Sequence, residues 1–141
     1  MIDSRTAPYA ATLLRVSLGV MFIAHALLKL FVFTLPGTAQ FFASVGFPGW
    51  TAYLVFAAEL AGGVLLVLGV QTRAVALALV PVLIGALYVH GGNGWLFTAK
   101  GGGWEYPLFL IVATLVQALL GDGAYALRAG GTPPRRAAVP A

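Results

Sequence analysis

The chain has 141 residues, 60% of them hydrophobic and only 9% charged, with a formal charge of +4 and no cysteine. A soluble domain carries about 25% charged residues, so water is a poor solvent for most of this surface. The length allows one domain. Eight scattered Lys and Arg make no clustered basic face, which argues against nucleic-acid binding. Without cysteine, disulfides, thiolate zinc sites, cysteine-ligated iron–sulfur clusters and thiol exchange by this chain are excluded.

The first apolar run, Ala11 to Phe33, is interrupted by Arg15, His25 and Lys29. It is too long for the h-region of a cleavable signal peptide, about 7–15 residues, and no clear small-residue cleavage site follows it. Next, TAQFFASV (Thr38 to Val45) reads as a short interfacial helix capped by Thr38. Gly-Phe-Pro-Gly-Trp then turns the chain into a second span, Trp50 to Val70, whose only charge is Glu59. Ala58 and Gly62, one turn apart, give that span a face small enough for close backbone approach, and Gly19 does the same on the first. Gln71-Thr72-Arg73 closes a tight helical hairpin into a third span, Ala74 to His90, in which Pro81 is expected to bend the helix. Six glycines around Trp95 and Phe97 form a long second loop. The fourth span, Tyr106 to Leu120, is short against the roughly 20 residues a crossing needs. Trp50, Trp95 and Trp104 read as interfacial anchors. Residues 128–141 are rich in Pro, Gly and Arg and read as a disordered tail, leaving residues 1–127 as the transmembrane domain.

The expected fold is therefore all-α: a transmembrane four-helix bundle with an ordered lid of loops on its outer side. Four spans place both termini on one side, together with Arg5, Arg15, Arg73, Arg128, Arg135 and Arg136, against Lys29 and Lys100 on the other. The positive-inside rule puts the termini in the cytoplasm of a multi-pass cell-membrane protein.

An ionisable group at the bilayer centre costs roughly 2.5–3.5 kcal/mol on insertion scales, so each needs a partner or a purpose. At a rise of about 1.5 Å per residue, His25 lies about 12 Å and Glu59 about 13 Å below the same outer edge, with Lys29 one turn above His25. His90 ends the third span on that side and Glu105 opens the fourth. Five groups, His25, Lys29, Glu59, His90 and Glu105, are thus expected to converge as a ligand-binding cluster, with Glu59 as a proton relay. Plainer roles compete: Lys29 can snorkel to the interface, and His25 can be a satisfied interhelical hydrogen bond. Arg15, Arg73 and Asp122 are expected to be structural, the arginines meeting lipid phosphate at the cytoplasmic edge and Asp122 pairing with one of them. The spacing of His25, His90 and the acids matches no compact metal motif, and no metal is expected.

Arg15-x3-Gly19-x2-Phe22-x2-His25-x3-Lys29, Glu59-x2-Gly62-Gly63 running to Gly69-x2-Thr72-Arg73, His90, and Gly121-Asp122-Gly123 together resemble the DoxX family of small bacterial membrane proteins. A remoter likeness is to the DoxD subunit of archaeal thiosulfate:quinone oxidoreductase. The resemblance covers about Leu13 to Ala126 and rests on order and spacing across four spans. The family often has Gly where His25 stands and Pro where Asp122 stands, so these two inherit no role from it. The resemblance implies a four-helix bundle in the cytoplasmic membrane and, loosely, redox work shared with membrane or periplasmic partner proteins.

Three functions compete. The first is a redox-associated component that binds a quinone or other small substrate between Phe22, Phe56 and Trp95, with Lys29 or His25 as donor. The second is a structural or assembly subunit, and the third a small-solute or proton-coupled transporter, which at four spans needs to form a homo-oligomer.

Overall fold

The computed structural model describes residues 3–127; the tail expected to be disordered lies outside them. Among the described residues there is no strand, and five α-helices follow in chain order: α1 (Ala7–Leu27), α2 (Leu35–Ser44), α3 (Thr51–Leu68), α4 (Thr72–His90) and α5 (Glu105–Leu120). A π-helical turn, Leu28–Val32, continues α1, and a 3₁₀ turn, Gly91–Asn93, continues α4. With these extensions α1 spans 26 residues and α4 spans 22, and α3 has 18; all three are long and apolar enough to cross a membrane. The chain folds as an all-α membrane helical bundle. α5 has 16 residues, about 24 Å at the helical rise.

The four long helices form an antiparallel ring in which α1 packs on α3, α3 on α4, α4 on α5 and α5 on α1. Leu18, Phe22, Leu66, Leu79, Leu83 and Leu110 meet in its core. α1 and α3 cross at glycine on both sides. A Cβ on Gly19 would lie 2.7 Å from the Gly63 carbonyl oxygen, and one on Gly63 would lie 2.8 Å from that of Gly19. Gly62 faces Leu79 of α4 instead. Pro81 lies within α4, where it removes the bond to the Leu77 carbonyl, yet the helix runs on to His90.

The end of the bundle with the α3–α4 connection, the turn end, is closed by backbone accounting. Gly69, left-handed at φ 75°, ends α3 in a Schellman motif: its N–H reaches Leu66 O at 3.1 Å and the Val70 N–H reaches Leu65 O at 3.0 Å. Arg15 Nη1 donates to Leu66 O at 2.9 Å and Val67 O at 3.0 Å, and Leu127 N donates to Leu68 O at 2.9 Å. Every carbonyl of that last turn is matched. Arg15 is 1% exposed, so the expectation that it meets lipid phosphate is corrected: its guanidinium is a C-cap inside the bundle. Residues 121–127 fold back over this end, where Ala124 N donates to Pro8 O at 3.0 Å and Thr12 Oγ1 to Ala124 O at 2.6 Å.

The opposite end, the loop end, carries α2 and the 91–104 loop. The short helix begins earlier than its sequence pattern indicates. Thr34, not Thr38, is its cap, accepting from Gly37 N at 3.2 Å, while Thr38 is buried and donates to Thr34 O at 2.8 Å. Thr34 holds φ 60°, a backbone region costly for a β-branched residue. Thr34→Ala removes the cap while keeping that strain. It is expected to destabilise the protein by about 1 kcal/mol and to raise hydrogen exchange at the start of α2, measured by mass spectrometry.

Candidate functional site

The long-range meeting that gives the bundle its chemistry is between α1 and α3. Lys29 Nζ lies 2.7 Å from Glu59 Oε2, with the two side chains 15% and 8% exposed. Lys29 sits in the π-helical turn, where Phe33 N reaches back five residues to Leu28 O at 3.0 Å. Its ammonium also approaches the His25 carbonyl at 3.4 Å. Short π segments recur at functional sites because the extra residue re-aims side chains. Here the residue carried is the one cation that meets Glu59. Among the described residues this is the sole ion pair.

The pair lies on the wall of a cavity of about 890 Å³ in the loop-end half of the bundle, within the roughly 300–1,000 Å³ of small-molecule sites. α1 contributes Met21, Phe22, His25 and Lys29; α3 contributes Val55 and Glu59. Pro81, Gly85 and His90 line it from α4, and Tyr106, Pro107 and Leu110 from α5. α2 and the loops close it with Thr38, Phe41, Phe42, Phe47 and Phe97. The lining is mostly apolar, with polar side chains only at His25, Lys29, Thr38, Thr51, Glu59, His90 and Tyr106.

Both imidazoles line this cavity with one ring nitrogen already committed. His25 Nδ1 lies 2.9 Å from Met21 O, and His90 Nδ1 lies 2.9 Å from Gly101 O and 3.1 Å from Gly102 O. A carbonyl only accepts, so each Nδ1 carries the proton, and in the neutral ring each Nε2 is an acceptor. Tyr106 stacks on His25 with ring centroids 6.2 Å apart, and its hydroxyl meets the Met21 sulfur.

Of the five residues expected to converge, the structure thus places His25, Lys29, Glu59 and His90 on one cavity. Glu105 is a correction. It is absent from the lining, and its Oε1 accepts from Phe97 N at 2.8 Å, closing the glycine-rich loop onto the start of α5. Asn93 Nδ2 ties the same loop through Gly101 O and Gly102 O. Two of the expected apolar wall residues also fall elsewhere: Phe56 and Trp95 do not line the cavity, and Trp95 packs edge-on against Trp104 with centroids 4.5 Å apart. Phe41, Phe42 and Phe47 take their place, supplied by the very loop whose apolar character was visible in the sequence. At the turn end Arg73 is exposed, and Asp122 forms no ion pair with it or with Arg15 among the described residues.

Comparison with known proteins supplies the family. A family model described as DoxX matches residues 10–92. The chain is 37% identical over 115 residues to the Bacillus subtilis (strain 168) protein named "Putative oxidoreductase CatD", which covers 82% of this chain and 81% of that one. No solved structure matches it significantly. A family match over more than half of the chain, and a relative of this identity across four-fifths of both proteins, agree with the motifs that carry the cavity: the chain belongs to the DoxX family.

Proposed function

We propose that this chain is a redox-associated membrane component whose loop-end cavity binds a quinone or a similarly flat, carbonyl-bearing small molecule. The observation that carries the reading is the Lys29–Glu59 pair on the wall of a largely apolar cavity of about 890 Å³. A quinone head needs an apolar slot for its ring and a donor at a carbonyl. Phe22, Phe41 and Phe42 supply the first, and the Lys29 ammonium supplies the second. Glu59 Oε1 takes no hydrogen bond among the described residues, which leaves it available to hold a proton. His25 acts differently from the donor its residue type implied: its Nε2, unprotonated in the neutral ring, accepts from a hydroxyl rather than donating to a carbonyl. A bound quinone would supply two-electron, two-proton chemistry, and a partner redox protein would be the other party to the electron exchange. The name of the relative, an oxidoreductase, fits this assignment.

The same reading places α5 as a fourth membrane crossing. Its first residue is tied to the loop end by Glu105 N donating to Trp95 O at 3.1 Å, and the segment after it returns to Pro8 at the turn end. Arg5 and Arg73 lie at the turn end, while at the loop end Lys29 is neutralised by Glu59, which leaves Lys100. The turn end and both termini therefore face the cytoplasm, and the cavity opens toward the outer side of the cell membrane.

An assembly subunit is the second reading, favoured by one fact: Lys29 and Glu59 satisfy each other within the bundle and hold α1 to α3. Extraction of small molecules from protein purified out of native membranes, followed by mass spectrometry, separates the two. A quinone is expected with the native protein and at least tenfold less with Glu59→Gln. Repeated purification of correctly assembled native protein without a quinone sinks the redox reading. A Glu59→Gln variant that loses abundance but keeps all its function per assembled molecule favours the assembly role.

A further inference from the structure

The turn end holds a second cavity that the redox reading does not use. It measures about 420 Å³, and its walls include Arg73 of α4, Asp122 beyond the end of α5, Leu120, and Ala7 and Pro8 from the first turn of α1. A cation and an anion thus share one small cavity, and no ion pair joins them among the described residues. Both are held by backbone geometry. Gly121, at φ 84°, lets the guanidinium of Arg73 lie where a side chain would stand, since a Cβ there would be 3.0 Å from Nε. Asp122 is fixed from its other side, because Ala124 N is bonded to Pro8 O and a Cβ on Gly123 would be 2.7 Å from Thr12 N. Leu120, on the cavity wall at the last turn of α5, is 47% exposed, and its neighbour Leu119 is 79% exposed.

We infer that this cavity binds the phosphoethanolamine headgroup of a membrane phospholipid. The inference rests on the reading of the bundle as membrane-spanning, which puts this helix end in the headgroup layer. Phosphodiester and ammonium on one short head match the charges of Arg73 and Asp122. The guanidinium presents a planar fork of N–H donors to the phosphate oxygens. The carboxylate accepts from the N–H groups of the ammonium. The exposed leucines give the glycerol and acyl chains an apolar exit. Choline fails this test because its quaternary nitrogen has no N–H to donate. A glycerol head offers hydroxyls but no cation for Asp122.

The test uses the full chain, delipidated in detergent, with phosphatidylethanolamine, phosphatidylcholine and phosphatidylglycerol of identical acyl chains offered singly and in competition. Retained lipid is counted by native mass spectrometry. Phosphatidylethanolamine is expected to be retained at least tenfold over phosphatidylcholine and in preference to phosphatidylglycerol. Asp122→Asn is expected to erase the ethanolamine preference, lowering phosphatidylethanolamine retention to that of phosphatidylcholine, and Arg73→Gln to lower retention of all three. Equal retention of ethanolamine and choline lipids by the native chain overturns the inference, as does a preference for phosphatidylglycerol. A preference that survives Asp122→Asn overturns it too. The native-chain comparison needs no variant to fold, so the outcome stands even if a substitution proves unstable. Glu59→Gln, which tests the redox cavity, is expected to leave the headgroup preference intact, so the two readings fail separately.

Discussion

Lys29→Met is expected to destabilise the folded protein by about 2–3 kcal/mol, below the roughly 3–5 kcal/mol of a fully buried broken pair because Glu59 can take up a proton, whereas Lys29→Met combined with Glu59→Leu costs much less. The asymmetry follows from where the pair sits. Glu59 is 6% exposed, and its Oε2 accepts from Lys29 at 2.7 Å. Removing the ammonium leaves a buried carboxyl without its counter-charge, which must either stay desolvated or take up a proton, and both cost stability. Replacing both partners removes the charge and its desolvation together, and apolar side chains of similar length can fill the space. The measurement is reversible unfolding in mixed micelles of the native, single and double variants. Equal losses in the single and double variants would mean that the pair is solvated, and Lys29 would then be a snorkelling residue with no part in the cavity. The double variant also separates stability from function. It is expected to fold and assemble and, on the proposed redox reading, to lose the quinone, because the groups that reading assigns as donor and proton holder are both gone.

Helix rise and the positions of the span ends set matching depths for His25 and Glu59, with Lys29 one turn above, but depth alone did not single out Lys29 as the residue that bonds Glu59. His25 was legible by the same argument, and His90 by its place at a span end. The use of each nitrogen was not, since it depends on which carbonyls come near: Met21 O within α1, but Gly101 O and Gly102 O from a distant loop. Glu105 shows the limit of arguing from depth. It stands at the expected level, yet the free N–H of Phe97 in the loop captures its carboxylate. Arg15 misled for a related reason. Position along α1 put it near the membrane edge, and only the way α3 ends, with the Leu66 and Val67 carbonyls turned toward α1, makes burial of a guanidinium favourable. The π-helical turn left no sequence signal at all. Nothing in Leu-Lys-Leu-Phe-Val distinguishes it from an ordinary last turn, and only the Phe33-to-Leu28 bond reveals it. The four-helix layout was therefore readable from the apolar runs and the charges between them, while the roles of individual polar atoms depended on long-range backbone partners.

Gly63→Ala is expected to cost about 3 kcal/mol or more, and Gly62→Ala, its immediate neighbour, about 1–2 kcal/mol. Both exchanges gain helix propensity of about 1 kcal/mol, so the difference lies in what the new methyl meets. At Gly62 it meets the methyl ends of Leu79 at 2.9 Å, and a side-chain end can shift within its rotamer. At Gly63 it meets the Gly19 carbonyl oxygen at 2.8 Å and Ile23 N at 3.0 Å. Those are backbone atoms of α1, which cannot give way without moving the helix. Overpacking of a core costs about 1–3 kcal/mol even where side chains relax, and a helix–helix crossing has less room to do so. Gly19→Ala strikes the same crossing from the other side, 2.7 Å from the Gly63 carbonyl oxygen and 2.9 Å from Val67 N. Once the helices have separated to admit one methyl, the second finds part of its space already made. The double variant is therefore expected to cost less than the sum of the two singles. Because the crossing lies below Lys29 and Glu59 on the same two helices, prising it open should also lengthen their contact. A four-variant series followed by unfolding, with bound quinone counted in each, would connect packing at the crossing to the cavity above it. Strict additivity between Gly19→Ala and Gly63→Ala would mean that the two glycines do not share one contact.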